Sequence, residues 1–320
     1  MSIPFPQSAE PALVHEVAGH RLSIHRHGPV AAAGPALQVF LVHGMGDTAD
    51  TWLRLREDLP NATLWTFDMP WSGRESNDWP YCMSATDWWR AALALCPVAP
   101  DICVGHSFGT TVLMDWLHGS EPAPALRGLV LVSPFYHSGR RTVEWSELNE
   151  YACRVPERLA VALRARMETR MEPTPTVMAA MAQLLSRRIV PDAILEFFRL
   201  FLKSRRWPVR GLTCPVLVVV GDQDEALVQD SATELARSLP LAQLYGIADC
   251  GHYPMHQQPA VLARQFAMFL ESVGEVNHPR SAFGAPPQGD APSGPAKPDP
   301  RRPLDASVQA VGVLHGAVEN

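Results

Sequence analysis

Short, largely apolar runs alternate with helix-like segments along most of this 320-residue chain. Consecutive apolar residues are expected in strands that are buried on both faces of a sheet. Alternation of such strands with helices predicts an α/β fold, in which helices flank a mostly parallel central sheet. Residues 15–24 and the few residues after them predict a β-hairpin that precedes the parallel strands. Residues 50–59, 84–95 and 110–117 are helix-like. The strand-like runs are residues 37–42, 62–67, 101–104, 129–132, 216–220 and 241–247.

The alternation is interrupted between residues 138 and 210, where the pattern predicts helices and no strand. The helical segments are residues 158–168, 177–187 and 193–201, with prolines as breaks between them. An all-helical insertion in an α/β alternation is interpreted as a lid over the active edge of the sheet. The predicted organisation is a core in two parts (residues 1–137 and 211–274), the lid (138–210) and a proline-rich tail without fixed structure (275–320).

The composition excludes several classes of protein. Hydrophobic residues make up 47% of the chain, which allows a substantial core, and the net charge of −6 disfavours a nucleic-acid partner. The chain has no run of about 18 consecutive apolar residues, so no membrane span is predicted. The first residues lack the pattern of a signal peptide, and the six cysteines form no C-x-x-C pair, so we expect a cytoplasmic protein with reduced thiols.

Residues 105–109, Gly-His-Ser-Phe-Gly, match the pattern G-x-S-x-G between a strand-like run and a helix-like run. Glycines permit a tight turn there, and such a turn pushes the hydroxyl of Ser107 into a pocket. A serine hydroxyl is a poor nucleophile at neutral pH, so the interpretation requires a base, an orienting acid and oxyanion donors.

The best placed base is His252, because it follows the last strand-like run and precedes the final predicted helix at residues 259–273. Asp222 and Asp224 follow the strand at residues 216–220, at the sheet edge where catalytic groups collect, and the pattern alone does not divide their roles. A second cluster of histidines has the spacing of a strand hairpin and no expected carboxylate partner, so no metal site is predicted. Its members are His15, His20, His25 and His27.

Residues 43–47, His-Gly-Met-Gly-Asp, follow the strand at residues 37–42. Two glycines allow a tight loop whose amides point inward, so the N–H of Met45 is the expected oxyanion donor. The N–H of Phe108, at the start of the helix after Ser107, is the expected second donor. His43 is interpreted as a side chain that stabilises this loop.

These motifs, in this order, resemble the α/β-hydrolase superfamily over about residues 12–273. The resemblance includes the turn at residues 68–74, where relatives often carry D-x-P-G-x-G and Trp71 replaces a glycine. The superfamily pattern selects Asp224 as the acid and His252 as the base, with Gln257 where a glutamate is common. It implies an acyl-enzyme on Ser107, oxyanion donors at Met45 and Phe108, and no cofactor or metal.

The substrate is expected to be a small molecule with a sizeable apolar acyl group on an ester or thioester. A thioesterase or acyltransferase that acts on coenzyme A or carrier-protein acyl groups is an alternative, because residues 138–210 carry a net charge of +6. Those arginines are otherwise expected to pair with glutamates on solvated helix faces. A poorly catalytic binding protein on the same scaffold is a further alternative. Pocket candidates are His43, Trp71, His106 and Tyr253.

Overall fold

The computed structural model describes residues 13–28, 36–55, 59, 62–72, 83–120, 124–140, 142–166, 174–186 and 191–274. Their strands form one eight-stranded sheet, and all of these residues belong to one compact unit. The predicted proline-rich tail at residues 275–320 lies outside the described residues. The strands are β1 (Leu13–Val17), β2 (His20–His27), β3 (Leu37–Val42), β4 (Ala62–Asp68), β5 (Ile102–His106), β6 (Gly128–Val132), β7 (Val216–Gly221) and β8 (Ala242–Ile247).

The strand order in the sheet is β1-β2-β4-β3-β5-β6-β7-β8. β2 is antiparallel to both β1 and β4, which confirms the opening hairpin, and the remaining neighbours pair in parallel. The prediction of a mostly parallel α/β sheet is therefore confirmed. Because parallel strands end at the same edge, the loops after β3, β5, β7 and β8 meet there.

Alternate residues of each central strand enter two separate hydrophobic cores. In β3, Val39 and Leu41 pack on one side of the sheet, and Phe40 and Val42 pack on the other, all of them buried. The continuous apolar runs in the sequence follow from this burial on both faces. The helices are α1 (Ala85–Leu95), α2 (Phe108–His118), α3 (Trp145–Cys153), α4 (Val155–Arg166), α5 (Pro175–Ser186), α6 (Pro191–Ser204), α7 (Ala226–Ser238), α8 (Pro254–Gln257) and α9 (Pro259–Gly274).

The starts of two helices have different causes, one in the local sequence and one in a contact distant in sequence. α1 begins after Ser84, whose side chain accepts the Asp87 N–H while the Asp87 carboxylate accepts the Ser84 N–H, which is a capping box. The helix predicted at residues 50–59 is instead a 3₁₀ helix at Ala49–Leu55. It begins where the Ala49 N–H donates to Asp68 Oδ1 at 2.8 Å, so a contact distant in sequence sets its start.

The described residues of the insertion between β6 and β7 form α3 to α6, one helix more than predicted. α3 has only one buried side chain, Leu148, and therefore lacks the apolar periodicity that reveals a helix. α6 is held to the core, because Glu196 accepts the Ala85 N–H at 3.0 Å and Lys203 lies 2.7 Å from Asp115 Oδ1.

Candidate active site

Ser107 lies between the end of β5 and the start of α2, in a strained backbone conformation with φ of 51° and ψ of −117°. A positive φ is uncommon for a residue with a side chain and persists only where its surroundings enforce it. Here the Ser107 N–H donates to Val132 O at 2.9 Å, and the Thr110 N–H donates to Ser107 O at 2.9 Å. These bonds hold the sharp turn that the G-x-S-x-G pattern predicts.

The two glycines of the motif are required by close backbone contacts. A Cβ atom on Gly105 would lie 2.8 Å from Thr110 N, and one on Gly109 would lie 2.6 Å from Val42 O. Backbone atoms cannot yield as a flexible side chain can. The glycines therefore let α2 start directly against β3 and β5, which fixes where the Ser107 hydroxyl lies.

The structure brings Ser107, His252 and Asp224 together from three distant parts of the chain. His252 Nε2 lies 3.0 Å from Ser107 Oγ, and His252 Nδ1 lies 3.0 Å from each carboxylate oxygen of Asp224. The Asp224 side chain is fully buried, whereas that of His252 is 21% exposed. One imidazole thus bridges a hydroxyl and a buried carboxylate.

Asp224 is held ionised by its partners. Burial raises the pKa of this carboxyl, but the neighbouring His252 and the Glu225 N–H, which donates to Oδ1 at 2.8 Å, outweigh burial and lower it. A carboxylate that stays ionised in a buried position can orient an imidazole and stabilise its protonated form.

Asp222 has a different partner, although sequence alone did not separate it from Asp224. Its Oδ1 accepts the Cys250 N–H at 3.2 Å, in the loop that leads to His252. The same loop is held from its other side by Gln257, whose Oε1 accepts the N–H groups of Gly251 at 3.0 Å and Tyr253 at 3.2 Å. Gln257 thus fixes the main chain on both sides of His252.

His106 contributes a contact that the sequence did not reveal. It is buried, and its Nε2–H donates to the main-chain oxygen of His252 at 2.9 Å. Burial lowers the pKa of His106 well below its usual value, and the neighbouring His252 lowers it further, so the ring is neutral. The residue before Ser107 therefore anchors the loop that carries His252.

The glycine-rich loop after β3 lies against the turn at Ser107. A Cβ atom on Gly44 would lie 3.2 Å from Ser107 Cβ, so the close approach requires glycine. The Gly46 N–H donates to Trp71 O at 2.9 Å. Met45 lines the same cavity as Ser107. Phe108 is the first residue of α2, where an N–H has no carbonyl partner within the helix.

His43 and Trp71 brace this loop from behind. The Met69 N–H donates to His43 Nε2 at 3.0 Å, and His43 Nδ1 lies 2.7 Å from Gly44 O. The Trp71 indole N–H donates to His43 O at 3.2 Å, and its ring packs edge-to-face on Phe108. Both side chains are fully buried, which is consistent with the interpretation of His43 as a loop stabiliser.

A cavity of about 330 Å³ opens at Ser107. Of the four pocket candidates, Tyr253 lines this cavity, whereas His43, Trp71 and His106 do not. Substrate contact by these three stays a prediction; their side chains are buried and form hydrogen bonds with the backbone around the site. The lining residues are Met45, Ser107, Tyr151, Val155, Arg158, Val161, Gln223, Asp224, Glu225, Gly251, His252, Tyr253 and Gln257.

The insertion contributes four of these lining residues from α3 and α4: Tyr151, Val155, Arg158 and Val161. The expected pairing of its arginines with glutamates is present at several positions. Arg154 Nε lies 3.3 Å from Glu157, Arg199 Nη2 donates to Glu196 at 2.7 Å, and Arg158 pairs with Glu225.

Aromatic residues of α6 pack inward. Phe197 and Phe201 are buried in the core, and Phe197 packs edge-to-face against Phe135 and Phe108. These two residues therefore fix α6 in the hydrophobic core.

The expectation that the amino-terminal histidines have no carboxylate partner is wrong for one of them. His25 Nε2 lies 3.2 Å from Asp68 Oδ2, so this part of the hairpin does have a carboxylate partner, contributed by β4. The five cysteines among the described residues (96, 103, 153, 214 and 250) carry free thiols. None of the helices in the described part of the chain has the length and apolar character that crossing a bilayer requires.

Comparison with known proteins gives matches in sequence and in fold. Protein NDRG1-B of Xenopus laevis is 28% identical over 166 residues, which is 47% of this chain and 40% of that protein. Est816, described as an N-acyl homoserine lactone degrading enzyme, superimposes with a TM-score of 0.60 at 18% identity over 80% of this chain and 100% of its own. A thermophilic esterase from Thermogutta terrifontis gives 0.53 at 23% identity, over 83% and 96%.

The two structural likenesses show a shared fold, since their identities are low. This chain covers less than half of the length of the curated relative that it matches. A model of the alpha/beta hydrolase family matches residues 39–265, which include Ser107, Asp224 and His252. The chain therefore belongs to the alpha/beta hydrolase family.

Proposed function

We propose that the protein is a serine hydrolase that cleaves a carboxylic ester through an acyl-enzyme on Ser107. The observation that carries the proposal is the position of His252, with Nε2 at 3.0 Å from Ser107 Oγ and Nδ1 at 3.0 Å from Asp224. With Nδ1–H donated to the carboxylate, Nε2 is the free base that faces the hydroxyl. Family membership supports the same class of reaction, as do the esterase and the N-acyl homoserine lactone degrading enzyme of similar fold.

In the first half-reaction, Ser107 Oγ attacks the ester carbonyl carbon while His252 Nε2 takes the hydroxyl proton. Negative charge develops on the former carbonyl oxygen, where the N–H groups of Met45 and Phe108 donate. His252 then gives its proton to the leaving alkoxide, so an alcohol departs and an acyl-enzyme remains. Asp224 stabilises the imidazolium that forms in between.

In the second half-reaction, His252 takes a proton from water as the water attacks the acyl carbon. The same two amides stabilise the second oxyanion, and the proton returns to Ser107 Oγ as the carboxylic acid leaves. The chemistry needs no metal or cofactor.

The size of the cavity supports a compact acyl group. A volume of about 330 Å³ is at the lower end of the range for small-molecule sites. We assign the helical insertion the role of a lid, because α3 and α4 form one wall of the cavity.

A thioester substrate is the second candidate, favoured by the net charge of +6 on residues 138–210, which suits an anionic carrier such as coenzyme A or an acyl carrier protein. Pairing of Arg154 and Arg199 with glutamates weighs against it, since their charge is already compensated at close range.

The test compares hydrolysis of an acyl ester and the coenzyme A thioester of the same acyl group. We expect the ester to be hydrolysed with the higher kcat/KM and Ser107→Ala to abolish turnover of both. Ser120→Ala, a serine at the far end of α2, is the matched control and should retain activity. Turnover that survives in Ser107→Ala would contradict the mechanism, and absence of turnover in the intact protein would favour a binding protein on this fold.

A further inference from the structure

Among the described residues that line the cavity at Ser107, Arg158 is the one arginine. Its guanidinium lies 3.5 Å above the centroid of the Tyr151 ring, and Nη2 pairs with Glu225. An aromatic ring beneath one face and a carboxylate at one nitrogen hold the guanidinium plane in a fixed orientation, with little rotational freedom to lose when it binds a ligand.

The pairing of Arg158 leaves donor capacity unused. Its Nε is buried and has no hydrogen-bond partner among the described residues. A buried donor without an acceptor costs free energy. A guanidinium has enough N–H groups to bind two carboxylates, or one carboxylate through a bidentate pair of hydrogen bonds. The Arg158 side chain is 20% exposed, so a ligand in the cavity can contact the guanidinium at atoms other than the buried Nε.

Glu225 is the group that an anionic ligand would displace from Arg158. Asp224 is hydrogen-bonded to His252, whereas Glu225, the partner of Arg158, is 37% exposed and can turn toward water. An incoming carboxylate can therefore take its place at Arg158.

We propose that Arg158 is a specificity-determining residue, which binds a carboxylate carried by the substrate away from the scissile ester. The preferred substrate class is then a monoester of a dicarboxylic acid, or an equivalent ester whose acyl part ends in a carboxylate. This inference rests on the proposed function of Ser107, and it adds the chemical identity of the far end of the acyl group.

The experiment measures a ratio of two kcat/KM values. One substrate is an aryl ester whose acyl chain ends in a carboxylate, and the other has a methyl group at that end, with several chain lengths compared. Arg158→Gln should lower the ratio at the preferred length by about tenfold or more, the value expected for loss of a charged hydrogen bond. Glu225→Gln should raise the ratio, because it removes the competing carboxylate.

Arg154→Gln is the matched control, since Arg154 precedes Arg158 by one helical turn and does not line the cavity. It should leave the ratio as in the unaltered protein. General damage to folding changes both rates together and leaves the ratio intact. A ratio that is the same in Arg158→Gln and the unaltered protein would overturn the proposal while leaving the ester hydrolase in place.

A binding measurement separates failure of this inference from failure of the proposed function. Linear dicarboxylates from succinate to suberate are titrated calorimetrically into Ser107→Ala, with and without Arg158→Gln. We expect saturable binding that Arg158→Gln weakens by about tenfold. Such binding without any ester hydrolysis would uphold the anion site and reject the hydrolase, whereas absence of Arg158-dependent binding would reject the anion site.

Discussion

His106 Nε2 donates a hydrogen bond of 2.9 Å to the main-chain oxygen of His252, so the residue before Ser107 anchors the loop that carries the proposed base. This bond therefore holds the turn at Ser107 against the loop that carries His252, although 145 residues separate Ser107 from His252. The distance between Ser107 Oγ and His252 Nε2 depends on this bond as well as on the two side chains.

Replacement of His106 by phenylalanine should separate positioning from chemistry. The change keeps an aromatic ring but leaves the partly buried His252 carbonyl without its donor, at a cost of roughly 1–3 kcal/mol. We expect kcat to fall by about tenfold with little change in KM, because binding does not involve His106. Steady-state kinetics test this, with His118→Phe at the end of α2 as the control, and an unchanged kcat in His106→Phe would contradict the positioning role.

Asp224 and Asp222 should differ sharply on conversion to asparagine. In Asp224→Asn the amide no longer fixes the tautomer of His252 or stabilises its protonated form, so kcat should fall roughly 10³- to 10⁴-fold. In Asp222→Asn an oxygen still accepts the Cys250 N–H, so the loss in kcat should be less than about tenfold. Comparable losses in the two variants would show that the acid had been assigned to the wrong aspartate.

Asp115 should contribute to the stability of the fold rather than to the reaction. Its carboxylate accepts from the Thr86 hydroxyl at 2.8 Å and the Trp207 indole at 3.2 Å, and Lys203 lies beside it. Asp115→Ala leaves two buried donors unpaired and should lower the free energy of unfolding by roughly 2–3 kcal/mol.

Urea denaturation measures this effect of Asp115→Ala. Asp230→Ala, at an exposed position of α7, should change the free energy of unfolding by less than about 0.5 kcal/mol. Equal stability of the Asp115 and Asp230 variants would refute the role of the network that ties α6 to α1 and α2.

Acid stability should depend on Asp68 and Asp224. Burial raises the pKa of Asp68, but the bonds from His25 and from the Ala49 N–H outweigh it and lower the pKa below 3.8, and the Asp224 pKa is lowered too. A carboxyl with a lowered native-state pKa stabilises the fold above its unfolded-state pKa, and that stabilisation is lost as the pH falls through the native-state value.

Denaturation midpoints between about pH 6 and about pH 2 test the contribution of Asp68. The free energy of unfolding of the unaltered protein should fall steeply below about pH 4, and that of Asp68→Asn should fall less, because one linked proton is absent. If the free energies of unfolding of the two proteins fall in parallel as the pH is lowered, Asp68 does not contribute to acid stability.

Local patterns predicted the parts of the site that short segments define. The turn at Ser107 is set by Gly105 and Gly109, within five residues of one another, and Asp224 and His252 each directly follow a strand whose apolar run is easily recognised. The sheet edge then brings these loops together, because the strands are parallel.

Contacts between segments distant in sequence could not be predicted from local patterns. The bond from His106 to the His252 carbonyl and the pairing of Arg158 with Glu225 depend on how the loops and α4 pack, and no residue pattern encodes them. α3 was missed because it lies on the surface with Trp145 76% exposed, so its sequence has no buried stripe. His43 and Trp71 were placed near the substrate because their loops are, although their side chains point into the core.

The most direct measurement of the central claim is covalent labelling with a fluorophosphonate, which reacts with a serine only when a base activates it. We expect one adduct per protein, located by peptide mass spectrometry on Ser107, and its loss in both Ser107→Ala and His252→Ala. An adduct on another serine, or labelling that persists without His252, would contradict the account, as would an intact protein that takes up no label.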